Sequence, residues 1–200
     1  MGRRYAAVPK VKLISHTPEP LRVIKTAISQ CYQKEATDAT VKHILKAGHL
    51  SVLEHASASF HVTCSLTVLL QMTRHRHLSF TVESSRGSTL SGVARSYIDR
   101  IDHYNQQTMT FYNEMIADGI RPENAAYVLP KAALYRFVVT GNFRAWYEYL
   151  PKRLCKRASK EHQKLAQLLH NELCLLCPEI FCHVKANCAM CNERSCDFHA

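Results

Sequence analysis

Nine consecutive residues, Ala56 to Cys64, constrain this chain more than any others. Ala56, Ala58, Phe60, Val62 and Cys64 alternate without a break against Ser57, Ser59, His61 and Thr63. A period of two over that length is a strand with one buried face. The spacing then turns helical through Leu66, Leu69, Leu70 and Thr73 and runs straight into Arg74-His75-Arg76-His77. A half-buried strand must be covered by other elements, and the remaining sequence supplies both strands and helices. Val11 to Ile14 and Ala133 to Thr140 read as strands. Thr17-Pro18-Glu19-Pro20 opens a helix with Leu21, Ile24, Ile28 and Cys31 on one face. Asp38 is placed to cap a second helix through Val41, Ile44 and Leu45, with Gly48 as its stop. Tyr97, Ile101, Tyr104, Thr108, Phe111 and Met115 mark the apolar face of a longer helix ending near Gly119, and Pro122 to Leu129 a brief one. Helical spacing returns from Phe143 to about Leu176, with Pro151 as a kink or break. Beyond Pro178 neither period holds. The pattern has no repeat and no linker, so it predicts one mixed α/β (α+β) domain over 1–178 and a Cys-rich tail over 179–200.

The apolar fraction, 46% of 200 residues, is enough to build a core. No window resembles a membrane span, and no apolar run follows the opening Met-Gly-Arg-Arg-Tyr, which predicts a cytoplasmic protein. Lys and Arg exceed Asp and Glu by 26 to 16, a formal charge of +10 that points to anionic partners. Nine cysteines, six of them between Cys174 and Cys196, read in a reducing compartment as thiols or metal ligands rather than disulfides.

Several constellations could carry chemistry. Arg74-His75-Arg76-His77 precedes Ser79, Glu83, Ser84, Ser85 and Arg86. Arginine forks and hydroxyls of this kind bind phosphate or carboxylate oxygens; the plain alternative is a solvated helix end. His49 and His55 are six residues apart and do not share a helix face, so this segment reads as a capped turn holding a Glu54-His55 pair. Asn142-Phe143-Arg144 is followed by Arg153 within a basic run. There Lys152, Lys156, Lys160 and Lys164 repeat every four residues, as one helix stripe would. Such a stripe is usually a solvated face, and a nucleic-acid groove would need interleaved aromatics that it lacks. In the tail, Cys182, Cys188, Cys191 and Cys196 have spacing that could hold zinc; Cys174, Cys177, Cys188 and Cys191 form a second possible set. Free thiols are the alternative.

Taken together, these residues resemble the flavin-dependent thymidylate synthases, the ThyX family, over about 10–178. The family is marked by Arg-His-Arg, seven residues, then Ser, and here Arg74-His75-Arg76 is followed at that spacing by Ser84. His49, Glu54-His55 and Gln71 precede the motif in register and Arg86 follows it. Downstream, Leu129-Pro130, Thr140, Asn142, Arg144 and Arg153 fall at family spacing.

The resemblance implies a ThyX-like domain with a central, mainly antiparallel sheet flanked by helices. It implies reductive methylation of dUMP to dTMP with FAD, NADPH and methylenetetrahydrofolate, in a homotetramer whose sites draw on several subunits. Arg153 matches the arginine that polarises the uracil ring. Gln71, Arg74, Ser84, Ser85 and Arg86 match nucleotide-binding positions. His49, Ser51, Arg74, His75, Arg76, Asn142 and Arg144 match positions around the flavin. A nucleic-acid or membrane partner is not expected.

The sequence also departs from the family pattern. Thr81-Val82 stands where Asn-Glu is usual, leaving Glu83 one residue late unless a bulge restores it. Gly87 replaces a Tyr, Ala126 a phosphate-binding Arg, Glu148 a flavin-contacting Asn, and Ala158-Ser159-Lys160-Glu161 an Ala-Gln-x-Glu stretch. These departures keep two alternatives open: a relative acting at C5 of another pyrimidine nucleotide, and a basic, non-catalytic nucleic-acid-binding relative.

Overall fold

The computed structural model describes residues 9–189 and 191. Its strands are β1 (Lys10–His16), β2 (Ser57–Ser65), β3 (Leu78–Val82) and β4 (Leu134–Asn142). They form a four-stranded sheet in the order β1-β2-β4-β3, every neighbouring pair antiparallel. The helices are α1 (Pro20–Tyr32), α2 (Asp38–Ala47), α3 (Leu66–Met72), α4 (Asp99–Ala117), α5 (Pro122–Ala125), α6 (Phe143–Arg153), α7 (Lys160–Leu176) and α8 (Pro178–Phe181). Among them no helix is long and apolar enough to cross a membrane.

The alternation in β2 works as read. Ala58, Phe60, Val62 and Cys64 are buried, and His61 on the other face is exposed. Phe60 pairs with Val139 and Val62 with Phe137, so two central strands turn the same apolar face toward α6 and α7. Trp146 of α6 stands edge-on to Phe60 and donates its indole N–H to the Ala58 carbonyl at 3.1 Å. That bond satisfies the indole's one polar atom in the core. The opposite face is polar, with Ser59 and Thr140 joined at 2.8 Å.

Several sequence expectations need correcting. Thr37, not Asp38, caps α2: Thr37 and Thr40 each bind the other's backbone N–H, and Asp38 in the first turn pairs with Lys25 at 2.7 Å. Gly48 does stop the helix, with φ of 77°. β3 carries no apolar run long enough to announce a strand; it exists because the exposed edge of β4 is there to pair with it. The lysine stripe is not one helix. The chain turns between 154 and 159, leaving Lys152 on α6 and Lys160 and Lys164 on α7. Pro151 sits in the last turn of α6 and does not end it there.

The longest correction concerns α4. Most of its expected buried face is outside: Ile101 is 45% exposed, Tyr104 65% and Phe111 52%, whereas Met115 packs inward as expected. Asp102, Asn105, Met109 and Tyr112 face inward instead. Asp102 Oδ1 accepts the Ser96 N–H at 2.6 Å, Tyr112 receives the Leu90 N–H, and Met109 and Tyr112 pack with Val93 and Ala125 in a second small core. The first residues after Pro178 also pack, despite having neither period. Ile180 and Phe181 are fully buried, and Phe181 meets Phe143 edge to face.

Candidate active site

The turn between α3 and β3 carries Arg74 to His77, and the C-terminal end of α6 brings Arg153 against it. Arg153 Nε donates to His75 Nε2 at 3.0 Å, and its NH2 donates to the Gln71 backbone carbonyl at 3.1 Å. His75 stands edge-on to Tyr149, with ring centroids 4.8 Å apart. The Tyr149 hydroxyl lies 2.9 Å from His162 Nε2, and His162 Nδ1 lies 3.1 Å from Gln71 Oε1. The five residues thus close a ring from Gln71 through Arg153, His75, Tyr149 and His162 back to Gln71.

The electrostatics of this ring follow from burial. Burial, then the charges of Arg153 and Lys152, pushes His75 down to about 4. His162 falls to about 3 for similar reasons, burial first, then Arg153 and His75. Both histidines are therefore neutral near pH 7. Burial raises the Tyr149 phenol above its ordinary value, so it keeps its proton. In the ring Arg153 is held by two neutral acceptors rather than a carboxylate, which leaves its positive charge available to a ligand.

Beside this ring two cavities adjoin. One, of about 290 Å³, is lined by Arg74, His75, Arg76 and Lys152; the other, of about 240 Å³, by Asn142, Arg144 and Glu54. They share His77, Ala145 and Glu148. The family resemblance groups Arg74, His75, Arg76, Asn142 and Arg144 with His49 and Ser51; the fold places the first five around these adjoining cavities, and neither His49 nor Ser51 lines them. Asn142 caps α6 by accepting the Ala145 N–H at 2.8 Å. Arg144 is held by two carboxylates, Glu148 at 2.9 Å and Glu54 at 2.6 Å. Glu54 is thus partnered by Arg144, not by His55 as expected. His49 and Ser51 sit exposed at the start of the short 3-10 turn Leu50–His55 that carries Glu54. Among the described residues neither Arg74 nor Arg76 has a carboxylate partner, and two unpaired guanidinium groups with Lys152 suit an anionic group such as a phosphate.

The other half of the motif is elsewhere. Leu78 pairs with Gly141 and Val82 with Phe137, so β3 separates the two halves by its own length, about 15 Å at 3.3 Å per residue. Ser84, Ser85 and Arg86 form a turn beyond the far end, where Ser84 Oγ accepts the Arg86 N–H at 3.2 Å. They do not meet Arg74 or Arg153 within one chain. Glu83 is also engaged there: its two oxygens take the Arg136 N–H and Nε–H, each at 2.8 Å, and β3 pairs with β4 without a bulge.

Among the described residues no group of three or more His, Cys, Asp or Glu could hold a metal ion. Cys177 is buried in the core and its thiol is pushed up to about 12, chiefly by burial, as is that of Cys174. Cys182, Cys188 and Cys191 form no such group among themselves, and Cys196, the fourth member of the expected set, lies outside the described residues.

Tyr149 and His162 escaped the sequence reading. The signal for His162 was present: it occupies the buried stripe of α7 with Leu165, Ala166, Leu169 and Leu173, where an imidazole needs partners.

Comparison with known proteins gives this geometry a context. A family model described as "Thymidylate synthase complementing protein" matches residues 12–179. The flavin-dependent thymidylate synthase of Nitratidesulfovibrio vulgaris is 31% identical over 216 residues, covering 90% of this chain and 88% of its own. That of Geobacter sulfurreducens is 31% identical over 182 residues, covering 78% of each chain. The crystal structure of the UMP/dUMP methylase PolB from Streptomyces cacaoi superposes with a TM-score of 0.76, covering 87% of this chain and 93% of that one, at 19% identity. That likeness is one of fold. The matched span holds the sheet, the Arg74 turn and the Arg153 ring alike, and on it this chain belongs to the ThyX (Thy1) family of FAD-dependent nucleotide methylases.

Proposed function

We propose that the chain methylates dUMP at C5 to give dTMP, with FAD, NADPH and methylenetetrahydrofolate. The observation that carries this reading is Arg153, fixed by His75 and the Gln71 carbonyl and opposed in that ring by no carboxylate. A guanidinium so placed stabilises negative charge on a uracil carbonyl and thereby makes C5 the nucleophilic carbon. Gln71, Arg74, Ser84, Ser85 and Arg86 bind the nucleotide. Arg74, His75, Arg76, Asn142 and Arg144, with His49 and Ser51 beside them, hold the flavin, Arg144 exchanging a carboxylate partner for it. The bound flavin supplies the hydride. The chain supplies orientation and charge.

The site is completed by a second copy. Ser84 to Arg86 lie a strand's length from Arg74, and α4 with the preceding Ile98 presents Ile98, Ile101, Tyr104 and Phe111 as an uncovered apolar stripe. A homotetramer in which one copy's serine turn meets another's Arg74 satisfies both facts.

A second reading, that UMP or another pyrimidine nucleotide is the substrate, is favoured by Ala126 where the family pattern has a phosphate arginine and by the methylase named above, whose printed substrates include UMP. The experiment is tritium release from C5-labelled dUMP and UMP in parallel, with and without the folate. Folate-dependent release from dUMP alone supports the first reading and from UMP alone the second. No release from either, in protein that still holds flavin, overturns the first reading and removes UMP from the second, leaving another pyrimidine nucleotide as the substrate.

A further inference from the structure

His162 is fully buried in the first turn of α7, between two groups that come from different elements. Its Nδ1 faces the Gln71 carboxamide oxygen at 3.1 Å and its Nε2 faces the Tyr149 hydroxyl at 2.9 Å. A carboxamide oxygen can only accept, so Nδ1 carries the proton. Nε2 then offers a lone pair, and the Tyr149 O–H donates to it. We propose that His162 is a positioning residue for nucleotide recognition: it holds the Gln71 carboxamide oxygen inward, so that Gln71 meets the nucleotide as an N–H donor and selects an acceptor oxygen.

The reverse arrangement fails on Tyr149. With the carboxamide turned over, its NH₂ would need a bare Nδ1, which moves the imidazole proton to Nε2. Nε2–H would then donate to the phenol oxygen and leave the phenol's own proton unpartnered, since among the described residues that hydroxyl is bonded to His162 alone. Tyr149 is fully buried, and a buried unpaired O–H is costly. The outer end of Gln71 stays open: the residue is half-buried and its NH₂ has no partner among the described residues. Arg153 donates to the backbone carbonyl of the same residue, so carboxamide and guanidinium are held as a pair of donors. Such a pair recognises a pyrimidine carbonyl or a phosphate oxygen and disfavours an exocyclic amine. This inference rests on reading Gln71 as a nucleotide contact.

The test combines a spectrum with a substitution series in the flavin-loaded protein. Nitrogen-15 shifts of His162 should report the Nδ1–H tautomer, and an Nε2–H tautomer would overturn the inference outright, with no variant needed. His162→Asn keeps a donor where Nδ1 stood; His162→Gln keeps only a group where Nε2 stood. His162→Gln should raise KM for dUMP about three- to ten-fold, the worth of one hydrogen bond, with kcat within about two-fold, and His162→Asn should restore it. Equal KM values for the two variants and the unsubstituted protein overturn it. If Gln71 reads a base carbonyl, His162→Gln narrows the preference for dUMP over dCMP; if a phosphate oxygen, it narrows that for dUMP over deoxyuridine. Gln71→Ala separates the two layers. An unchanged KM there removes Gln71 from the nucleotide site and this inference with it, whereas a raised KM beside an inert His162→Gln removes only the role of His162.

Discussion

Acidification should unfold this protein through His162, and the size of the effect can be worked out. In the fold its pKa lies at about 3, because burial and the Arg153 charge disfavour the imidazolium. In the unfolded chain it returns to about 6.5. A depressed folded pKa gives stability that is complete above about pH 6.5 and is lost as pH falls toward about 3, because only the unfolded chain takes up the proton in that window. At pH 5 the unfolded state is 1.5 units below its pKa, and at about 1.4 kcal/mol per unit the loss is about 2 kcal/mol. His75, with its pKa lowered to about 4, adds a parallel loss. The clean measurement is therefore a difference. Urea unfolding of the unsubstituted protein and of His162→Asn at pH 7.5 and 5.0, at one protein concentration, cancels His75 and the carboxylates. With a slope of about 2 kcal/mol per molar urea, the unsubstituted midpoint should fall about 1 M further than that of the variant. Parallel shifts would mean that His162 already carries a proton in the fold, and the neutral ring around Arg153 would be wrong.

Three more predictions test other parts of the molecule. Arg153→Ala should abolish turnover, by about a hundred-fold or more, while the purified protein keeps its flavin absorbance; retained activity removes Arg153 from the reaction. Gly141→Ala should cost about 1–3 kcal/mol in thermal or urea unfolding, because the added methyl would clash with Leu78 Cδ2 and lie 3.2 Å from the Trp146 indole nitrogen; in a Leu78→Ala background the same methyl should cost less, because its nearest clash is gone. Ile101→Glu, on the exposed stripe of α4, should lower the mass measured by light scattering while leaving far-ultraviolet dichroism intact, and an unchanged mass would show that this stripe is not where copies meet.

What could be read from the sequence was whatever depends on neighbours in the chain. The alternation of Ala56 to Cys64 determined a half-buried strand, because a strand's two faces are set by parity alone. Gly48 determined a helix stop because only a residue free to take positive φ fits there. The Arg74 to Ser84 spacing and Arg153 pointed to the family before any contact was known. The tertiary structure decided what depends on distant partners. It chose which face of α4 is buried, since Asp102 finds the Ser96 amide and Tyr112 the Leu90 amide, against the apolar count of the sequence. It parted the motif, because residues close in sequence are carried apart by an extended strand between them. It also closed the ring of Gln71, Arg153, His75, Tyr149 and His162. These residues span more than ninety positions of the chain and meet only because α3, α6 and α7 pack on one face of the same sheet. The neutral histidines and the uncompensated arginine within that ring are products of burial, and burial belongs to the assembled fold.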